Sequence, residues 1–132
     1  MKKALKIFLI VISIIIVLTG LTLAAALPGL KETAALDIKT VDLTQIPNGT
    51  YTGSYDSYRW STTVKVTILD HRVTDIQSVK IQDGRDDLTN DLSEMVISEQ
   101  TPDVDAISGA TASSNAYLKA IENALKDGVD VG

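Results

Sequence analysis

From Ile7 to Leu30 the chain runs 24 residues without a charged side chain, directly after Lys2, Lys3 and Lys6. As a helix rising about 1.5 Å per residue, such a run spans about 36 Å, enough to cross the roughly 30 Å hydrocarbon layer of a bilayer with some tilt. Its Leu, Ile, Val and Phe side chains each favour insertion by about 0.3–0.6 kcal/mol, and no charge opposes them. Lysines on the N-terminal side hold that end in the cytoplasm and send everything after Leu30 to the far side of a bacterial cytoplasmic membrane. A cleavable leader is the rival, with Ala24-Ala25-Ala26 as its processing site and secretion after Ala26 as its outcome. The 17 uncharged residues before Ala24 exceed the usual leader core of about 7–15, which favours a retained single-pass anchor in contact with lipid over residues 7–30.

Behind this head lies an acidic body. Residues 1–30 carry +3, and residues 31–132 hold 9 Lys+Arg against 17 Asp+Glu, a net −8. A body of that sign repels phosphate backbones, so nucleic acid is excluded as a partner. The absence of cysteine removes disulfides, thiolate zinc, thiolate iron–sulfur clusters and a lipidated N-terminal Cys. A single histidine, His71, removes His-rich metal sites. No metal ligands and no catalytic residues of the chain's own are expected.

Residues 31–46 show no firm period and read as a stalk, with a short edge strand around Val41 to Leu43. Pro47-Asn48-Gly49 is a turn signal, and Thr50 to Tyr55 reads as a strand. Ser61 to Leu69 alternates, with Val64, Val66 and Ile68 on one face and Thr63, Lys65 and Thr67 on the other. Asp70-His71-Arg72 connects it to a strand from Val73 to Ile81, whose apolar positions slip in a way that predicts a bulge. Leu88, Leu92, Met95 and Val96 then fall at helical spacing, with Pro102 closing that helix or its trailing turn. Tyr117, Leu118, Ile121, Ala124 and Leu125 form the stripe of a second helix that Gly128 should stop. The expected fold is α+β: a small antiparallel sheet with two helices on one face, behind a transmembrane or signal helix. The expected divisions are an anchor over 1–30, a stalk over 31–46, a domain over 47–127 and a tail over 128–132.

Asp105 to Ser114 is a loop of small and hydroxyl-bearing residues opening the last helix. Unpaired N–H groups and the positive end of the helix dipole suit a phosphate there, and Gly109 permits close approach. The plain alternative is that Thr111, Ser113 or Ser114 simply caps the helix.

Asp105-x-x-Ser108-Gly109-Ala110-Thr111 resembles the flavinylation motif of the FMN-binding domain family, D-x-x-[S/T]-G-A-[S/T]. Gly49-Thr50-Tyr51-Thr52-Gly53, the paired strands and the helix before Thr101-Pro102-Asp103-Val104-Asp105 follow the family's order, so the resemblance covers about residues 47 to 127. It implies FMN joined by a phosphoester to the Thr111 hydroxyl. Asp105, Ser108, Gly109 and Ala110 would then serve recognition and geometry, and Ser113 and Ser114 would donate hydrogen bonds to the phosphate. A threonine hydroxyl needs an activating base, and none adjoins Thr111 in sequence. The resemblance supplies one in a separate flavin transferase that uses FAD and a divalent metal. It further implies an electron carrier outside the cytoplasm, rather than a stand-alone enzyme, served by membrane or extracytoplasmic redox partners. A non-covalent flavin module, a sensor, or a structural ectodomain with a degenerate motif are the alternatives.

Tyr55, Tyr58 and Trp60 are candidates to stack on the flavin ring. Gln82-Asp83-Gly84-Arg85-Asp86-Asp87 stands where many family members have a Gly/Pro-containing stretch. Arg85 is a candidate to steady a reduced flavin but reads more simply as a solvated loop residue, as His71 reads as a turn residue. The acids from Asp83 to Asp91 lack calcium-loop spacing and are better explained as favourable charge at a helix start.

Overall fold

The alternation in the middle of the chain builds the sheet on which everything else rests. A computed structural model describes residues 2–26, 28–81 and 85–131, with side chains described outside 23–26. Gly49–Tyr55 (β1), Thr62–Leu69 (β2) and Arg72–Ile81 (β3) form an antiparallel sheet in that order. Thr62, Val64, Val66 and Ile68 of β2 point into the core, while Lys65 and Leu69 face solvent. Tyr51 and Gly53 continue the buried face onto β1. The register steps between Lys80 and Ser78 and between Asp75 and Val73, leaving Val79, the expected bulge, and Thr74, a second one, as extra residues. Asp70 and His71 both take positive φ, as the tight turn between β2 and β3 requires, and Asp70 N–H donates to Asn48 Oδ1 at 2.8 Å.

Two helices cover the inner face. Thr89–Glu99 (numbered α3, after the N-terminal α1 and α2 described below) packs on β3, and Thr111–Val131 (α4) packs on β1 and β2. A 3₁₀ turn over Asp86–Leu88 leads into α3, which ends at Gln100 in the left-handed region, two residues before Pro102. The Gln100 amide then pairs with Val73 on the outer edge of β3, accepting from its N–H at 2.8 Å and donating to its carbonyl at 3.0 Å.

The last helix does not stop at Gly128. It continues to Val131, so residues 128–131 are helix rather than tail. Gly128 is buried inside it because a side chain there would meet Ile46 Cγ2 at 2.7 Å and the Tyr51 ring at 3.3 Å. The glycine marks a close contact, not a terminus.

The segment expected as a stalk is packed against the domain. Ile46 is fully buried, and Ile38, Val41 and Leu43 pack on the same core, because α4 is apolar on more of its surface than the sheet alone can cover. No strand forms at Val41–Leu43. Asp42 instead accepts from Thr44 N–H (3.1 Å) and Thr44 Oγ1 (2.6 Å), which opens a 3₁₀ turn over Leu43–Gln45 and competes with any ladder.

Glu122 locks this segment to α4. Its side chain is fully buried, Oε1 accepts from Lys39 N–H at 2.6 Å, and Oε2 pairs with Lys119 Nζ at 2.6 Å and Lys126 Nζ at 3.1 Å. Burial raises its pKa, but Lys119, the Lys39 N–H and Lys126 together outweigh that and hold it below the ordinary 4.5. A carboxyl with a lowered folded pKa contributes fully above the unfolded value and loses that contribution as pH falls through the folded one. The urea midpoint should therefore drop as pH falls below about 4.5, and Glu122→Gln should flatten that slope. Because the lysine ends reach water, Glu122→Ala should cost about 2–3 kcal/mol, the low end for breaking a buried pair, measured by urea unfolding at neutral pH.

The N-terminal apolar run is helical over Lys2–Ala26 (α1), and its side chains from Lys2 to Thr22 are exposed. Ser13, Thr19 and Thr22 turn their hydroxyls back onto the carbonyls four residues earlier, at 2.7–2.9 Å, which hides their polarity. This helix is long and apolar enough to be a membrane span or a signal sequence. It is followed by a separate short helix, Leu30–Ala34 (α2), which packs on α4. Leu30 thus belongs to the domain's packing rather than to the end of the anchor.

Candidate functional site

The loop from Pro102 to Ala110 delivers the chain to the head of α4. Ile107 C=O accepts from Ala110 N–H at 2.9 Å across a turn in which Gly109 takes φ +81°, a conformation that disfavours any side chain. Ser114, fully buried, accepts from Ile107 N–H at 3.1 Å and pins this turn to the helix. The first bond inside the helix runs from Ser114 N–H to Ala110 C=O at 2.9 Å. The N–H groups of Thr111, Ala112 and Ser113 therefore have no partner among the described residues. Neither Thr111 nor Ser113 acts as a cap. The capping position falls to Ala110, whose methyl group cannot accept, at a cost of about 1 kcal/mol relative to a capped start. A local rule is broken here in favour of an open, positively polarised helix end.

Thr111 is exposed beside a groove of about 390 Å³, within the range of small-molecule sites. Its floor is the Gly109–Ser113 turn, and Trp60, Arg85, Leu30 and Ala34 stand around it. Trp60 is buried against Ala112 and Ala116, with the Arg59 guanidinium 5.5 Å from its ring centroid. A narrow cleft runs inward from the same Trp60, Arg85 and Ser113 to Thr62 and Tyr117. Thr62 is buried there, and its hydroxyl has no hydrogen-bond partner among the described residues.

Gly109, Ala110, Thr111 and Ser113 meet at the groove, whereas the other motif residues lie elsewhere. Ser114 is turned inward to Ile107, which puts it in the structure of the loop rather than in the groove. Ser108 is exposed and lines neither groove nor cleft. Asp105 opens onto a second, larger groove of about 630 Å³, shared with Asp91, Glu94, Glu99 and Asp103. Among the described residues no cluster of acids and histidine is placed to hold a metal ion. Of the three aromatic candidates only Trp60 lines the groove. The Tyr55 hydroxyl shares a hydrogen bond with Thr33 Oγ1 at 2.9 Å, and Tyr58 is 69 % exposed. Arg85 pairs with Asp87 at 3.2 Å while bordering the groove. His71 sits in the β2–β3 turn with Nδ1 3.3 Å from Leu43 O. Residues 82–84, and with them the first half of the atypical Gln82–Asp87 stretch, lie outside the described residues.

Leu30, Ala34 and Thr62 are not evident as site residues from sequence. Leu30 merges with the apolar run before it; the Pro28-Gly29 pair was the available sign that a new element starts there. Thr62 reads like any other strand threonine.

The open end of α4 thus stands beside an exposed hydroxyl and a groove lined by both apolar (Leu30, Ala34, Trp60, Ala112) and polar (Arg85, Thr111, Ser113) residues. The FMN-binding domain family matches residues 58–126, just over half the chain and including Trp60, Thr62 and Thr111. The chain belongs to that family, and is a flavin-binding module. A comparison with curated proteins finds no match. The residues present fit FMN: free N–H groups for a phosphate, apolar walls for a ring, and a buried hydroxyl awaiting a polar partner.

Proposed function

We propose that this protein is a membrane-anchored electron carrier, with its domain outside the cytoplasm and FMN held by a phosphoester to Thr111. The observation that carries this reading is the exposed Thr111 hydroxyl on a helix turn whose three leading N–H groups are unpartnered. Those groups and the helix dipole favour the remaining phosphate charge by about 0.3–1 kcal/mol. His71 is occupied at a distant turn, so the base that activates Thr111 comes from outside, from an FAD-dependent flavin transferase. The Thr111 Oγ1–P bond forms as the P–O–P bond of FAD breaks, AMP leaves, and the hydroxyl proton passes to that enzyme's base. FMN, when bound, supplies one- and two-electron transfer. The chain's own residues hold the phosphate end at Thr111–Ser113 and keep water from one side of the groove with Trp60 and Ala112. The acidic body raises the free energy of added negative charge and so pushes the reduction potential down.

Intact-mass measurement after co-expression with a flavin transferase tests the reading. The expected result is a gain equal to FMN less water, with flavin fluorescence surviving in a denaturing gel. An unmodified mass from cells in which the transferase flavinylates a control substrate would overturn it.

A further inference from the structure

The groove at Thr111 has one wall that does not come from the matched part of the domain. Leu30 and Ala34 of α2 border it, and α2 is fixed in place rather than tethered. Asn115 Nδ2 donates to Thr33 O at 3.2 Å and to Ala34 O at 3.1 Å. Thr33 is fully buried, with Oγ1 2.9 Å from Tyr55 OH. Leu30 packs on the Trp60–Ala112–Ala116 cluster. At Gly29 the chain takes φ +82° hard against Ser57 and Tyr58, so α2 is also seated on the connection that carries Trp60.

We propose that α2 is a structural half of the flavin site, the isoalloxazine ring of the group carried on Thr111 lying in the groove against the surface that Leu30, Ala34 and Trp60 form together. This rests on the attachment at Thr111. The walls are apolar where a flat ring needs them and polar, at Thr111 and Ser113, where a phosphate needs them, which matches the two ends of the ligand. Leu30, Ala34 and Trp60 are positioning residues, so their loss should free the ring without detaching it.

The test uses the full chain in detergent micelles, loaded by co-expression with the transferase. Leu30→Ser removes one wall. Ala34→Phe, at an exposed position that leaves the core untouched, fills the groove. Glu32→Ser, on the exposed side of α2, is the control. Both groove variants should keep the flavin mass while the iodide-quenching constant rises several-fold and steady-state flavin anisotropy falls, with Glu32→Ser unchanged. Retained mass with unaltered quenching and anisotropy in Ala34→Phe would overturn the ring placement and leave the attachment standing. An unmodified chain that gains no flavin mass would end both.

Discussion

Thr111→Ala should leave a folded protein with no covalent flavin, and Thr111→Ser should remain flavinylated. Thr111 is exposed and its side chain supports no other part of the fold, so removing it costs little in stability. What disappears is the exposed hydroxyl at the first position of α4, beside the groove. Ser113 lies two positions further along the same turn and is half-buried, and Ser114 is held inward by Ile107. Neither should substitute. The measurement is intact mass together with in-gel fluorescence, and labelling that persists in Thr111→Ala at the level of the unmodified chain would move the attachment point elsewhere.

Gly53→Val should abolish folding. A Cβ at Gly53 would collide with the backbone of α4 at Ala120 O and Ala124 N and lie 2.7 Å from Ala124 Cα. Backbone of a packed helix cannot step aside as the tip of a side chain can, so the cost exceeds the about 1–3 kcal/mol of ordinary overpacking and consumes much of a small domain's stability of about 5–15 kcal/mol. Gly53→Ala should already lower the thermal midpoint strongly. Gly128→Ala makes the comparison: its new methyl meets side-chain atoms of Ile46 and Tyr51, and the helix gains about 1 kcal/mol of propensity in return. A smaller loss at 53 than at 128, by thermal unfolding monitored by circular dichroism, would contradict the close seating of β1 on α4.

The sheet was legible because β2 is buried on one face only, and a half-buried strand writes its alternation into the sequence. The bulge at Val79 showed as a slip between Ile76, Val79 and Ile81, whereas the one at Thr74 left no sign in the apolar pattern. The stripe from Tyr117 to Leu125 announced α4, but its far end was misread, since a glycine needed for contact looks the same as one needed for a stop. Residues 31–46 were misread because irregular backbone that packs through isolated contacts, such as the Ile46 side chain and the backbone N–H of Lys39, has no period to detect. At the site, the motif located the helix head and Thr111. The groove's walls come from residues 30, 34 and 60, brought together by tertiary packing that no local pattern records.

The turn between α1 and α2 has a consequence for encounter. From Ala26 to Leu30 the backbone can stretch no further than about 14 Å. On the proposed reading of α1 as a retained anchor, the groove would be confined to the headgroup layer, and the domain would scan a plane instead of a volume. Its meeting rate with any donor then depends on how densely that donor populates the same surface. A donor whose exchanging group stands well above the bilayer would never be reached, however abundant it is.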